Sequence, residues 1–362
     1  MFLANASSIH TVKWVNALSC KNHEVHLVYK YDDVPKDNGI SEKVILHRLK
    51  YSGTKGYFVN VMQVRRLFKS LKPDVVNAHY ASGYGTLARL SKLRPLVLSV
   101  WGSDVFDFPY QSKLKMRLVV KNLLFADHIA STSYNMAEQV KKLVEPKKID
   151  INITPFGVDI SHFCRNMQNN KEEIVIGNIK SLKKVYGIDY LINSIYILLE
   201  NLNNSKNKEI SDKIVVKIYG DGDQKEELER LVKKLNLESK IMFMGRIQND
   251  MVPKALEEID IFCVTSIRES FGVSLIEAMA LEIPVVATDN AGFREILEDG
   301  ITGLIVEGQN SVAISKALEK LVLDKEMRLK MGRNGRKKVV DKYDWDKNVD
   351  KMVELYKKCV KI

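Results

Sequence analysis

The sequence has few cysteines, and they lie far apart. Its 362 residues contain four, Cys20, Cys164, Cys263 and Cys359, with no C-x-x-C pair among them. A structural zinc site built on cysteine needs closely spaced pairs, and a disulfide framework needs an oxidising compartment. The distribution excludes a zinc module of this kind and predicts a protein of the reducing cytoplasm.

Long apolar runs are also missing. No stretch reaches the roughly 20 residues that a membrane-spanning helix needs, and the first residues lack the basic head and cleavage pattern of a signal peptide. There is no low-complexity segment, and the composition, 45% hydrophobic and 28% charged, is typical of globular proteins. At this length we expect two domains of ordinary size and no membrane anchor.

One half of the chain lacks net charge and has a single histidine. Residues 1–155 carry 23 Lys and Arg against 12 Asp and Glu, whereas residues 156–362 carry equal numbers, so the net charge of +11 belongs to the first half. All seven histidines lie at or before His162, and six of them lie within residues 1–155, so we expect any histidine chemistry from the first half. A basic excess favours contact with an anionic partner, either a membrane surface or a nucleic acid.

The second half contains a strand–loop–helix pattern that occurs twice. Residues 260–265 form an apolar run with the length of a buried strand, a polar loop follows over 266–271, and apolar positions after Gly272 recur at helical spacing. Residues 285–287 are the next strand, and 289–292 form a second tight loop before another helix. Both loops are predicted at one edge of a parallel sheet, where open α/β folds bind ligands.

Two glutamates of this segment lie on its first loop and on the helix that follows it. Glu269 is on the first loop, and Glu277 is about one turn into the helix. A helix start offers free N–H groups and a partial positive charge that suit a phosphate, and two carboxylates can accept hydrogen bonds from two separate sugar diols. The same spacing also fits two solvated surface glutamates, so spacing alone leaves both interpretations open.

The residues around these glutamates resemble the signature of glycosyltransferase family 4. They read R-E-S-F-G-V-S-L-I-E-A-M-A, followed by P-V-V-A-T and G-F-R-E-I. The resemblance implies an α/β protein of the GT-B fold, with two doubly wound, Rossmann-like domains facing across a cleft. It implies an acceptor domain over 1–155, a donor domain over 156–341, and a terminal helix over 342–362 that crosses back to the first domain. It also implies a retaining enzyme that uses a nucleotide-sugar as co-substrate, with no metal and no other cofactor.

The resemblance assigns residues to a donor site. Glu269 is expected to contact the transferred sugar and Glu277 the ribose hydroxyls. Asn178 stands where the family usually has an arginine that grips the diphosphate. Lys180 and Lys184 are the nearest basic residues, and the choice between them stays open. The family motifs add further donor-binding candidates, which are Gly220, Arg246, Ser270, Phe271 and Gly272.

The first domain supplies the candidates for the acceptor side. The family commonly has His where this sequence has Trp101, which offers an apolar face to a sugar ring instead. Asp104 matches the acidic member of the same motif and is our alternative catalytic contact. Ser8 and His10 follow the first strand and are predicted to border the acceptor site, although a helix-start His bonded to nearby backbone fits His10 equally well. His79, at a strand end, is predicted to be a core residue.

Two segments of the first half are strongly basic. One is a predicted helix over 61–71 and the other a basic amphipathic helix over 111–124; their cations are Arg65, Arg66, Lys69, Lys72, Lys113, Lys115, Arg117 and Lys121. Such helices lie on anionic membranes, but a core helix with a solvated face shows the same pattern. With the one-sided charge, the sequence predicts peripheral contact with the inner face of the plasma membrane. Residues 31–60, polar and without periodicity, are predicted to form a mobile excursion on the acceptor side.

We therefore predict an enzyme that moves a sugar from a UDP- or GDP-sugar to a glycan or polyprenyl-linked acceptor, in bacterial cell-surface polysaccharide synthesis. One alternative is a nucleotide-sugar 2-epimerase of the same fold. Another is a basic nucleic-acid-binding protein, which the pI of 9.2 suggests. The stacking-aromatic motifs of the usual RNA modules are absent, and we expect no nucleic acid among the partners. The sequence names neither the sugar, the base nor the acceptor.

Overall fold

The computed structural model describes residues 1–35, 39–164 and 172–360. The chain divides into two compact units. Unit 1 comprises Met1–Phe156 and Asp346–Ile362, and unit 2 comprises Gly157–Trp345. Among the described residues, no helix combines the length and the apolar character that crossing a bilayer requires.

Unit 1 is built on a seven-stranded parallel sheet. Its strands are β1 (Phe2–Leu3), β2 (Val25–Tyr29), β3 (Val44–Arg48), β4 (Val76–His79), β5 (Leu96–Val100), β6 (His128–Ser131) and β7 (Ile151–Ile153). Its helices are α1 (Ile9–Cys20), α2 (Gly53–Val59), α3 (Val61–Leu71), α4 (Gly85–Ser91), α5 (Ser103–Phe106), α6 (Lys113–Phe125) and α7 (Tyr134–Val144).

The strand order of unit 1 is β3-β2-β1-β4-β5-β6-β7. The chain moves from β1 outward to β3, then returns to the other side of β1 and continues to β7. The order therefore reverses between β1 and β4, and such a switch point leaves a crevice at the carboxyl ends of the strands. The central strands are buried on both faces, as their continuous apolar character requires; β5, for example, is buried throughout.

Residues 31–60 carry more regular structure than the sequence indicates. They contain β3, which pairs with β2, and α2. Lys30, which follows β2 and is buried, anchors this segment to unit 1. Its Nζ lies 3.1 Å from Asp32 Oδ1, donates to Gly53 O at 3.4 Å, and stands 4.6 Å from the centre of the Tyr57 ring. The contacts of Lys30 with Gly53 and Tyr57 join residues distant in sequence, and such contacts leave no trace in the periodicity of the sequence, which explains the difference.

The last helix, α16 (Trp345–Val360), follows unit 2 in the chain but packs in unit 1 from Asp346 onward. It buries Val349, Met352 and Leu355. Asn77 of β4 donates a hydrogen bond to the Tyr356 hydroxyl at 2.6 Å. The core of unit 1 is therefore completed by a segment that comes after the whole of unit 2.

Unit 2 is built on a six-stranded parallel sheet. Its strands are β8 (Ile174–Ile179), β9 (Ile214–Tyr219), β10 (Ile241–Gly245), β11 (Ile261–Val264), β12 (Val285–Thr288) and β13 (Gly303–Val306). Its helices before the terminal α16 are α8 (Ile188–Asn203), α9 (Lys208–Lys213), α10 (Lys225–Lys234), α11 (Val252–Glu257), α12 (Val273–Ala280), α13 (Ala291–Ile296), α14 (Ser311–Leu323) and α15 (Lys325–Lys342).

The strand order of unit 2 is β10-β9-β8-β11-β12-β13, so its switch point lies between β8 and β11. The segments that follow these two strands contain Lys180 and Glu269. The segment after β12 leads into α13. The fold thus brings the strand–loop–helix segments identified in the sequence to the edge of the sheet at which a ligand crevice forms.

Candidate active site

At the switch point of unit 2, a lysine and a glutamate from different loops form an ion pair. Lys180 Nζ lies 2.5 Å from Glu269 Oε2, and only 16% and 15% of the two side chains are exposed. Lys180 Nζ also stands 4.8 Å from the centre of the Tyr186 ring. The pair places one cation and one carboxylate, mutually neutralised, at the position where a parallel α/β sheet binds its ligand.

Lys184 lies in a different environment. Its side chain is 63% exposed and pairs with Asp189 Oδ2 at 2.9 Å. That hydrogen bond raises the pKa of Lys184 above its usual value. Lys184 is thus committed to the start of α8, whereas Lys180 lies beside Glu269. The geometry favours Lys180 as the basic residue of the switch point.

The backbone around Lys180 depends on Gly220. Lys180 N–H donates to Tyr219 O at 2.9 Å, and Gly220 N–H donates to Gly245 O at 2.8 Å. Gly220 has φ +147°, and a Cβ built on it would lie 1.9 Å from Lys180 O. Only glycine allows this approach, so Gly220 supports the loop that carries Lys180.

Asn178, at the usual arginine position, has a structural contact that the sequence did not reveal. It is 1% exposed, and its Nδ2 donates to Cys263 O at 2.7 Å. The amide links β8 to β11 directly beneath the switch point. An asparagine at the end of an apolar strand was the available signal, because a buried amide must find a backbone partner.

The loop before α12 holds the remaining predicted donor residues. Ser270 N–H donates to Glu269 Oε1 at 3.2 Å, and Phe271 is 3% exposed. Phe271 packs edge-on against Tyr343, with 5.8 Å between ring centres. Gly272 is the N-cap residue of α12, and Glu277 lies one turn further, partly buried. Phe271 therefore anchors the loop, and α12 presents its amide end beside Glu269.

Arg246 is placed apart from this group. It follows β10, two strands away from β8 in the sheet, and is exposed. Within the described ranges, no cluster of three or more His, Cys, Asp and Glu side chains is arranged to hold a metal ion.

Unit 1 carries an aromatic cluster at its own switch point. His10 stacks on Phe156 with 4.3 Å between ring centres. Trp101 meets His10 at 5.7 Å, His79 at 4.1 Å and Tyr80 at 5.3 Å. Trp101, His10 and Tyr80 are partly exposed, whereas His79 is 1% exposed. The structure therefore brings the predicted Trp101 and His10 together and adds Tyr80, which the sequence did not single out.

Asp104 is buried and holds the backbone of two neighbouring strand ends in place. Its carboxylate is 1% exposed and accepts hydrogen bonds from the backbone of Ala81, Gly102 and Trp101, at 2.7, 2.9 and 3.2 Å. Burial raises its pKa, and the three N–H donors oppose this rise. Asp104 ties the ends of β4 and β5 together. Ser8 is the N-cap residue of α1, and its side chain makes no capping hydrogen bond.

The two histidines of the cluster are held neutral. Burial, with a smaller effect of Lys13, lowers the pKa of His10 to about 4. Burial, with a smaller effect of His10, lowers the pKa of His79 to about 3. Their ring nitrogens act as neutral hydrogen-bonding groups at pH 7, because a proton on either ring would be buried without a carboxylate partner.

We expect acid to destabilise the protein through His79. Its folded pKa lies below the ordinary 6.5, so the unfolded state takes up a proton first and stability falls as pH drops from 6.5 towards 3. At pH 4 this loss is about 3 kcal/mol. Melting temperatures of wild type and His79→Gln between pH 7 and 4 measure it, and the variant should show a shallower decline. The exposed His162, changed to Gln, is the control; equal slopes for wild type and His79→Gln would contradict the assignment.

Two units, each with a doubly wound parallel sheet whose strand order reverses at a switch point, make this a protein of the GT-B fold. HepE from Anabaena, crystallised in complex with UDP, aligns with a TM-score of 0.79 over 99% of both chains, at 16% sequence identity. The family described as "Glycosyl transferases group 1" matches residues 162–338, and "Glycosyl transferase 4-like" matches residues 1–133. The chain belongs to the group 1 glycosyltransferases and is a transferase.

Two curated relatives show the range of the family. The chain is 27% identical over 300 residues to N-acetyl-alpha-D-glucosaminyl L-malate synthase of Bacillus anthracis, which covers 78% of this chain and 74% of the relative. It is 27% identical over 361 residues to the capsular polysaccharide biosynthesis glycosyltransferase CapM of Staphylococcus aureus, which covers 91% and 88%. The names of these relatives describe different products, a glucosaminyl malate and a capsular polysaccharide. The similarity therefore establishes the transferase class of this chain and leaves its substrates to the proposal below.

Proposed function

We propose that this glycosyltransferase moves a sugar from a UDP- or GDP-sugar to a glycan or polyprenyl-linked acceptor in bacterial cell-surface polysaccharide synthesis, with retention of the anomeric configuration. The observation that supports a nucleotide-sugar donor is the Lys180–Glu269 ion pair at the switch point of unit 2. The similarity to CapM and the UDP bound in HepE support the acceptor class and the nucleotide donor.

The chain's own groups suffice for the proposed chemistry. The bond between the anomeric carbon and the diphosphate oxygen breaks while a bond to the acceptor oxygen forms on the same face of the sugar, and the proton of the acceptor hydroxyl passes to the departing diphosphate. Lys180 and the free N–H groups at the start of α12 stabilise the departing diphosphate. Once Lys180 pairs with phosphate, Glu269 is released to accept hydrogen bonds from the transferred sugar. We propose that the reaction needs no metal ion, because these fixed positive groups take its role.

The donor is tested by melting-temperature shifts of the purified chain with UDP-, GDP- and ADP-sugars. A ligand present at about 100 times its Kd stabilises the folded state by about 2.7 kcal/mol. We expect one nucleotide class to raise the melting temperature, and the same shift in the presence of EDTA. Absence of a shift with all three classes would contradict the proposed donor site.

We predict that Glu277→Ala weakens donor binding about 10- to 100-fold. The proposed contact is a charged hydrogen bond to the ribose hydroxyls, and such bonds contribute about 1.5–3 kcal/mol. Titration calorimetry with the nucleotide identified above measures the effect, with the exposed Glu229→Ala of α10 as the control. Wild-type affinity in a folded Glu277→Ala variant would remove this residue from the site.

A membrane-linked acceptor requires that the protein reach a bilayer surface. α6 presents the exposed cations Lys113, Arg117 and Lys121, and Leu114 is 76% exposed between them. In contrast, Arg65 of α3 donates to Leu90 O and Ser91 O at 2.7 and 3.3 Å. Arg65 is thus occupied at the end of α4, and we propose α6 as the main contact with an anionic membrane at the cytoplasmic leaflet.

We predict salt-sensitive binding to anionic vesicles. Each basic residue near an anionic bilayer contributes about 1 kcal/mol, screened within about 8–10 Å in physiological salt. Co-sedimentation with phosphatidylglycerol and phosphatidylcholine vesicles at low and high salt measures it. Charge reversal at Lys113, Lys115, Arg117 and Lys121 should abolish binding and leave the donor-induced melting shift intact.

The matched control reverses four exposed lysines of unit 2, which are Lys233, Lys234, Lys316 and Lys320. This variant has the same change in net charge and should still bind. If the wild-type protein does not bind anionic vesicles at low salt, the acceptor is a soluble glycan and α6 is an ordinary packing helix.

A further inference from the structure

Tyr80 has a backbone conformation that a bulky side chain rarely adopts. It follows β4 directly and has φ +69°. A non-glycine residue in this left-handed region costs about 1 kcal/mol or more, and such residues cluster at functional sites. Glycine would relieve the strain, so the tyrosine side chain itself must be useful at this point.

Two buried side chains hold Tyr80 in this conformation. The turn that it opens, Tyr80–Tyr84, is a single π-helical turn. Asp104 accepts from Ala81 N–H at 2.7 Å, and Asn122 Nδ2 donates to Ala81 O at 2.8 Å. Asp104 and Asn122 are each 1% exposed. Ala81, the residue after Tyr80, is thus held at both its N–H and its C=O, which fixes the backbone on the C-terminal side of Tyr80.

The Tyr80 hydroxyl is available to form a hydrogen bond with a ligand. No hydrogen bond joins it to any of the described residues, although its ring is largely covered and meets Trp101 edge-on. Burial, and then Asp104, raises the pKa of Tyr80 to about 12, so the group is an O–H donor at neutral pH. A mostly buried phenol without a protein partner needs one from a ligand or water.

The position of Tyr80 indicates the ligand. β4 borders the switch point of unit 1, and Trp101 and His10 stand beside it with partly exposed rings. Aromatic faces next to a hydrogen-bond donor suit a sugar ring, which presents C–H faces and hydroxyl edges. A phosphate would prefer cations, and this cluster holds neutral rings.

We propose that Tyr80 donates its phenolic hydrogen to a hydroxyl of the acceptor sugar, whose ring lies against Trp101. Tyr80 then selects the acceptor by the position of the hydroxyl that it binds. The inference rests on the proposed function, since it assigns the acceptor of that reaction to unit 1. It explains the strained backbone, the double grip on the turn and the unpartnered phenol together.

The test compares Tyr80→Phe with wild type, using saturating UDP and methyl α-glycosides of glucose, galactose and N-acetylglucosamine as probes. Saturation-transfer NMR measures glycoside binding at concentrations up to about 100 mM. We expect wild type to bind at least one glycoside and Tyr80→Phe to bind it about 10-fold more weakly, as the loss of one neutral hydrogen bond predicts. The melting temperature should not change, because the phenol has no protein partner to lose. Tyr196→Phe, on the exposed surface of unit 2, should behave as wild type.

Three results would overturn the inference: equal glycoside binding by Tyr80→Phe, no glycoside binding by wild type, or a lowered melting temperature in Tyr80→Phe that reveals a structural hydrogen bond. The proposed function has a separate readout in the melting shift caused by nucleotide-sugars. Loss of that shift in wild type would reject the donor site, whereas a normal shift with no effect of Tyr80→Phe rejects only the assignment of Tyr80.

Discussion

Replacing Lys180 by Ala should lower the affinity for the nucleotide-sugar about 100-fold. The substitution removes the cation that we assign to the diphosphate, and a charged hydrogen bond of this kind contributes about 1.5–3 kcal/mol. It also strands Glu269 without its partner in a site where only 15% of that side chain is exposed. The free protein should therefore lose stability as well, by up to about 3 kcal/mol. Calorimetric titration and thermal melting measure the two effects.

Lys184→Ala provides the matched control. It makes the same chemical change four residues away, at a side chain that is 63% exposed and paired with Asp189. Donor affinity and melting temperature should stay close to wild type. Lys180→Arg should recover part of the affinity, since it restores the charge with a different shape. If Lys184→Ala weakens binding and Lys180→Ala does not, Lys184 is the phosphate contact.

Replacing Glu269 by Gln should reduce turnover more than donor affinity. The amide keeps the shape of the side chain and can still accept from Lys180, so the empty site is preserved. It loses the negative charge beside the transferred sugar, and that charge stabilises the transition state more than the bound donor because positive charge develops on the sugar as its bond to the diphosphate breaks. We expect kcat to fall about 10- to 100-fold. Release of the nucleotide from its sugar, followed at saturating donor, measures kcat.

The control for Glu269→Gln is Glu226→Gln on the exposed face of α10. This control variant should leave both kcat and the donor affinity unchanged. Wild-type turnover in Glu269→Gln would remove the proposed contact with the sugar, and an equal loss of affinity and turnover would place Glu269 in donor binding alone.

The fold and the donor loop could be predicted from the sequence because their signals are local. A buried parallel strand is a continuous apolar run, and an amphipathic helix repeats every 3.6 residues. Strand–loop–helix order then places Glu269 at the edge of the sheet. The two parallel sheets and the family match confirm the predicted GT-B architecture.

The contacts that assemble the sites could not be predicted in the same way. Lys180 and Glu269 are 89 residues apart, and only the strand order brings them together. Tyr80 was missed because its strained backbone depends on Asp104 and Asn122, which lie on other elements. His10 remained ambiguous in the sequence, and its stacking on Phe156 spans 146 positions of the chain. Roles that depend on non-local pairs require the three-dimensional structure.

The placement of α16 has a consequence for the order in which the protein is made. Residues 1–156 leave the ribosome first, yet the helix that covers β4 and receives the Asn77 hydrogen bond is synthesised after all of unit 2. Unit 2 is continuous in sequence, so its core can close while unit 1 still exposes the apolar surface reserved for Val349, Met352 and Leu355. Unit 1, to which we assign the acceptor, therefore reaches its final form last, after unit 2, to which we assign the nucleotide-sugar.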